Sequence, residues 1–457
     1  MDPIFFHRNP ETATGHGHAA VQGHATGHGH APDDGRLRGL KVAVQPGVAV
    51  KGWPTDAGSH ALAGYVSLED ATVVQRLRGA GAYLCGSIHA AEFGFGLAGG
   101  RTGEAVRQAF ADIELVLDSI GESRVAAARA GVCGLKPSYG LVSRFGLIGL
   151  IPSMECCAVL SRSLDDIRET LRIITGQDGL DFSLPDEEAP DFSSMAIDPG
   201  KITIGVIDEA QDALPATEGE EFRASLEALR RRGFTLQEMS LPDFSLFSLV
   251  HRIVGSVEAS SAAGRYDSVR YGPRAPGAKN WNEMYLLSRA AAFGPFVKSY
   301  LIQGAFFQFE RYGAFEDACR IRARLVREMR RLTSQVDFLA FPGIDGGAAG
   351  VPSGGMAGVP SGGASGDTAA GVPAKGGPGS PGEAPSAPRY GAQASLRGVY
   401  AEFASTLFAN VTGQPVLYLP SSPGGGRAGI QLTGPRLADG RLLALGESLL
   451  ETDRKGD

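Results

Sequence analysis

Cysteine is scarce in this chain: 457 residues hold five, none in CxxC spacing, so neither a zinc ribbon nor a disulfide framework is supported. The adjacent Cys156 and Cys157 read as packing residues. Long apolar runs are missing too. No stretch of about 18 apolar residues occurs, and no charged-then-apolar leader opens the chain, so neither a membrane span nor a secretory signal is supported and a cytoplasmic address is expected. An excess of positive charge is also absent: 43 Lys and Arg against 50 Asp and Glu give a net charge of −7. Such a chain has no field that draws a nucleic-acid backbone, and no direct nucleic-acid contact is expected. What is present, 43% hydrophobic and 20% charged residues, suffices for one large core in a soluble globular protein.

Two tracts stand outside that core. Residues 1–35 carry six of the nine histidines in a Gly/Ala/His tract where ATGHGHA occurs twice. Such a tract cannot form a core and reads as a disordered tail, on which imidazoles such as His16, His18, His28 and His30 lack preformed metal geometry. Residues 343–394 repeat AGVPSGG and AGVPAKGG, have almost nothing to bury, and read as a disordered insertion. The remainder, 36–342 and 395–457, reads as a single domain. Its strands are LKVAVQ, AYLCG, ITIGVI, FTLQEM, VDFLAF, VLYLP and AGIQL. Helices alternate with them: one capped by Ser67 with Val73, Val74 and Leu77 on a face, one opened by Ser163, and one carrying Phe222, Leu226 and Leu229. The alternation predicts an α/β fold with a mixed, largely parallel central sheet covered by helices on both faces. Arginines from Arg320 to Arg331, interleaved with Glu316, Asp317 and Glu328, read as a solvated helix face.

The stretch DSIGESR, Asp118 to Arg124, precedes a helical run, and one Ser in such a place says little. Longer stretches in order say more: LRGLKVAV at Leu37, DATVVQRLRGAGAYLCG at Asp70, EFGFG at Glu92, GLKPSYGLVSRFGLIGLIPS at Gly134, SRSLDDIRETLRIITGQD at Ser161, EASSAAGRYDSVRYG from Glu258 to Gly272, and ANVTGQPVLYLP near the end. On these the chain resembles the amidase-signature family, and within it the glutamyl-tRNA(Gln) amidotransferase A subunits, from Leu37 to Phe341 and again from Ser395 to Glu451.

The resemblance implies the amidase-signature fold, no cofactor and no metal. It also implies a chemistry in which a neutral Lys, through a bridging Ser, activates a second Ser to attack an amide while backbone N–H groups hold the oxyanion. Each role falls on a changed residue. The Lys position is Gln45, which cannot take a proton at neutral pH; Lys51, six residues on, reads as a surface residue. The bridging-Ser loop retains Thr102 as its only hydroxyl. The nucleophile position is Glu122, with Ser123 one residue later. On the glutamine-binding side the matching positions are Gly121, Ser299, Tyr300 and Phe403, which lack charged partners for an amino acid. Three readings of Glu122 stay open: its carboxylate fills the anion site, it acts as a general base on water, or it is a tolerated substitution.

The expectation is a pseudo-amidase serving as a non-catalytic subunit or binding protein, with subunits resembling B and C of the amidotransferase as the partners the resemblance implies. The alternative is an active amidohydrolase or ammonia-supplying amidotransferase subunit, with a centre rebuilt from Glu122, Ser123 and His89.

Overall fold

The computed structural model describes residues 2–10, 37–214, 216–343, 395–421 and 429–451. The strands are β1 Phe5–Arg8, β2 Lys41–Val44, β3 Tyr83–Ile88, β4 Ile113–Asp118, β5 Cys133–Lys136, β6 Cys156–Ser161, β7 Thr203–Ile207, β8 Thr235–Met239, β9 Phe338–Pro342, β10 Val416–Pro420 and β11 Gly429–Thr433. They form one sheet in the order β1-β3-β2-β4-β6-β5-β10-β11-β9-β7-β8. The sheet is mixed, as expected, but the parallel share is smaller: β2 with β3 and β4, and β7 with β8 and β9, are parallel, and the other six pairings are antiparallel. β5 and β6, for example, follow one another with no helix between them, whereas parallel pairing would require a crossover.

The helices are α1 Thr72–Gly79, α2 Glu104–Arg107, α3 Glu122–Ala130, α4 Leu164–Ile174, α5 Asp208–Asp212, α6 Ala216–Arg231, α7 Leu246–Ala262, α8 Trp281–Ala292, α9 Pro295–Phe309, α10 Tyr312–Thr333, α11 Leu396–Glu402, α12 Leu407–Thr412 and α13 Asp439–Glu451. They cover both sheet faces. Alternate residues of β9 show it: Phe338 and Ala340 join a core with α1, α4, α6 and α13, whereas Leu339 and Phe341 join one with α7, α9, α10 and α12. No helix among the described residues is long and apolar enough to cross a membrane.

Local readings hold in part. The Ser163 side chain caps α4 by accepting from the Asp166 N–H. Ser67 caps nothing: its hydroxyl donates to the Glu69 carbonyl and α1 begins four residues after the expected start, behind Ala71. The expected tail, 1–35, is shorter at its front, because Ile4 and Phe5 are buried and β1 adds an antiparallel edge to β3. The histidine tract and the insertion from residue 344 lie outside the described residues. The α10 arginines do face solvent in ion pairs, Arg320 to Asp317, Arg324 to Asp243 and Arg331 to Glu328. Arg322 is the exception, turned inward onto Ser153 and the Val411 carbonyl.

Candidate functional site

β4 ends at Asp118, and a three-residue turn leads into α3, whose first residue is Glu122. Gly121 closes the turn at φ 119°, and a Cβ there would lie 2.1 Å from Thr406 Oγ1, so only glycine fits. The Glu122 carboxylate, with no solvent exposure, folds back into this turn. Its Oε1 accepts from the Gly96 N–H at 2.9 Å and the Ser119 hydroxyl at 2.8 Å. Its Oε2 accepts from the N–H groups of Ser119 at 2.7 Å, Ile120 at 2.9 Å and Gly121 at 3.2 Å. Burial, and then the Asp118 charge, push its pKa up to about 7 against the pull of those N–H donors.

The turn is held from behind as well. Asn410 Nδ2 donates to the Asp118 carbonyl at 3.2 Å, His251 Nε2 lies 2.9 Å from the Ser119 carbonyl, and Thr406 Oγ1 donates to the Ile120 carbonyl. Because a carbonyl only accepts, His251 carries its proton on Nε2, and its Nδ1 accepts from the Tyr400 hydroxyl at 2.8 Å. Tyr300 sits 3.0 Å behind Tyr400, completing a buried chain. Burial holds the imidazole neutral, with its pKa lowered to about 3.

Ser123 faces a carboxylate that its neighbours hold ionised, and so a weak base. Its N–H and hydroxyl both donate to Asp118 Oδ2. Asp118 Oδ1 accepts from Arg124 Nη2 at 3.1 Å and Asn410 Nδ2 at 2.8 Å, and Arg124 Nη1 donates to the Thr406 carbonyl at 2.7 Å. Burial alone would raise the Asp118 pKa; the charges of Arg124 and Lys136 and the hydrogen bonds from Ser123 and Asn410 reverse that and hold it low. Gln45 is a strut: Nε2 donates to Thr102 Oγ1 at 3.2 Å and Oε1 accepts from the Leu117 N–H at 3.0 Å. Among the described residues neither Gln45 nor Thr102 is hydrogen-bonded to Ser123 or Glu122.

The expected substrate-side residues scatter. Gly121 lies in the turn. Ser299 faces solvent and donates to its own helix at the Phe296 carbonyl, and Phe403 is fully buried in the core, so neither lines a site with Gly121. Tyr300, the next residue of α9, points inward and stacks on Phe95 at 4.6 Å, which stacks on Phe296. Adjacent helical residues differ by about 100° in direction, which sends this pair apart. His89 lies 3.3 Å from the Asp2 carbonyl and is not bonded to Ser123. Lys51 is exposed, with its N–H on Asp70. No cluster of metal-ligating side chains occurs among the described residues. Sequence reasoning missed the roles of His251, with Tyr400 behind it, and of Thr406 and Asn410, all more than 100 residues from the turn; of these Asn410 alone falls in a stretch quoted above, ANVTGQPVLYLP.

The Amidase family model matches residues 17–104 and 118–349. The glutamyl-tRNA(Gln) amidotransferase A subunit of Natronomonas pharaonis is 34% identical over 340 residues, 68% of this chain and 80% of that protein. Its counterpart in Lactobacillus gasseri is 30% identical over 69% of this chain and 71% of that protein. Among solved structures, the corresponding protein from Thermotoga maritima superimposes with TM-score 0.67 at 20% identity, covering 90% of this chain and 83% of that one. A 6-aminohexanoate cyclic dimer hydrolase superimposes with TM-score 0.66 at 18% identity, covering 91% and 85%. At these identities the structures speak for the fold alone.

Proposed function

Since the chain belongs to the amidase family, we propose that it keeps that family's scaffold without the amide chemistry and serves as a non-catalytic subunit or binding protein. One observation carries the reading. The residue at the nucleophile position, Glu122, is a buried acceptor whose two oxygens consume five donors, so the place where a reacting oxygen would be stabilised is filled by the protein itself. The neighbouring hydroxyl, Ser123, is bonded to Asp118, and Gln45 offers an amide where a base is needed. Loss of nucleophile and base together costs a serine hydrolase about 10⁶ in turnover.

Two of the relatives are amidotransferase A subunits, which makes subunits resembling B and C of that enzyme the partners to test, in translation and in the cytoplasm. A second reading has one observation in its favour: a carboxyl titrating near 7 is suited to general acid–base work at neutral pH. Ammonia release decides between them. The protein is incubated with glutamine, asparagine and simple amides beside a Glu122→Ala, Ser123→Ala double variant. No release above buffer from either supports the non-catalytic reading. Release by the native chain that vanishes in the variant overturns it in favour of an active amidohydrolase.

A further inference from the structure

We infer that the backbone cradle around Glu122 is a carboxylate-binding site in its own right, which the Glu122 side chain occupies as a tethered ligand. The inference deepens the non-catalytic reading of the same site and rests on it only for what the tether does, which is to keep other anions out.

The cradle is built independently of its occupant. In a planar trans peptide the C=O of one residue points opposite to the N–H of the next, and every described peptide bond here is trans. Asn410 ties the Asp118 carbonyl outward, which turns the Ser119 N–H inward. His251 does the same at Ser119 for the Ile120 N–H, and Thr406 at Ile120 for the Gly121 N–H. Three side chains from α7, α12 and the residue before α12 thus aim three donors at one point, and the conformation of Gly121 fixes the last of them. Gly96, from a separate loop, supplies a fourth N–H, and the Ser119 hydroxyl is the fifth donor. No cationic side chain among the described residues bonds the carboxylate, so oriented amide dipoles meet its charge.

The donors also specify the shape of the ligand. Two are aimed at one oxygen and three at the other, an arrangement that suits a planar two-oxygen anion and not a spherical halide. In the native chain the tether gives its carboxylate a high effective concentration and excludes free anions. Cutting the side chain back releases the site in a defined size. Glu122→Ala removes four heavy atoms, the skeleton of acetate; Glu122→Gly removes five, the skeleton of propionate.

The test refolds the native chain and both variants from urea in formate, acetate, propionate or chloride, all sodium salts at equal ionic strength, so that access through the closed fold does not limit binding. The expected result is a melting temperature highest in acetate for the Ala variant and in propionate for the Gly variant, by about 2–4 °C over chloride near saturation. The native chain shows no preference. If a variant does not refold in chloride, the yield of folded protein in each salt replaces the melting temperature. Equal response to all four salts, the same optimum in both variants, or no folded protein in any salt overturns the inference. Adding His251→Phe to the Ala variant should abolish the acetate preference, since Ser119 then loses its outward anchor. Amide turnover by the native chain would sink the non-catalytic reading yet leave the salt preference intact, so the two failures are distinguishable.

Discussion

Glu122→Ser returns a hydroxyl to the nucleophile position and, on the present geometry, nothing more. Gln45 still offers no base, and its amide stays bridged between Thr102 and Leu117. The variant should release no ammonia from glutamine above the buffer rate; measurable release would reveal a base that the hydrogen bonds do not show. Arg124 holds the Asp118 end of the turn. It is fully buried, paired with Asp118, and also bonded to Asn410 and Thr406. Arg124→Met strands a buried carboxylate and should cost about 3–5 kcal/mol in urea unfolding; a loss below about 1 kcal/mol would mean that Asp118 finds other donors. At this scale the sequence was poor about contacts. Counting along motifs singled out Gln45, Thr102, Glu122 and Ser123, while the partner of Ser123 was one turn away, in Asp118, and hidden because an aspartate ending a strand looks like any turn residue.

The strand that delivers the site, β4, was among those the apolar pattern passed over, with β1, β5 and β6. Glu114 and Asp118 interrupt the run IELVLD, yet every residue of the strand is buried. Glu114 is sunk beneath the Gly103 N–H and accepts from it with both oxygens. Strand β7 was legible because its run TIGVI carries no charge, and α6 because Phe222, Leu226 and Leu229 recur at helical spacing. The turn makes its own prediction. Gly121→Ala places a methyl 2.1 Å from Thr406 Oγ1 at a φ of 119° and should destabilise by more than about 2 kcal/mol. Thr406→Ala in the same chain should recover only part of that, since the backbone strain persists and the Ile120 carbonyl loses its donor. A double-mutant cycle measures the coupling, and strict additivity would deny the contact.

Across the whole molecule, three buried glutamates tie the loop from Glu92 to Gly103 to its surroundings: Glu92 bonds Ser59 and the Gly294 N–H, Glu122 bonds Gly96, and Glu114 bonds Gly103. Burial raises their pKa values to about 7, 7 and 8 respectively. A raised carboxyl holds its proton in the folded state after the unfolded chain has lost it, so the contribution of each is present below the ordinary carboxylate range and falls as pH rises to the folded value. His251, held neutral by burial, acts in the opposite sense below its ordinary value and offsets one of the three there. The urea midpoint should therefore fall from pH 5 to pH 8, by up to about 1.4 kcal/mol per pH unit for each unbalanced proton. Glu114→Gln should flatten the segment between pH 7 and 8, and a midpoint that rises across the range would contradict the raised carboxyl values. The strand order holds one more consequence. Among the described residues, β1 to β6 and β7 to β9 make two half-sheets that meet through β10 and β11. On a ribosome, β5 and β9 would stay open-edged until residues 416–433 had emerged, and the pairing of β5 would wait on a long-range closure. Synthesis of this chain is thus a race between its own β10 and β11 and any stranger's edge that reaches β5 or β9 first.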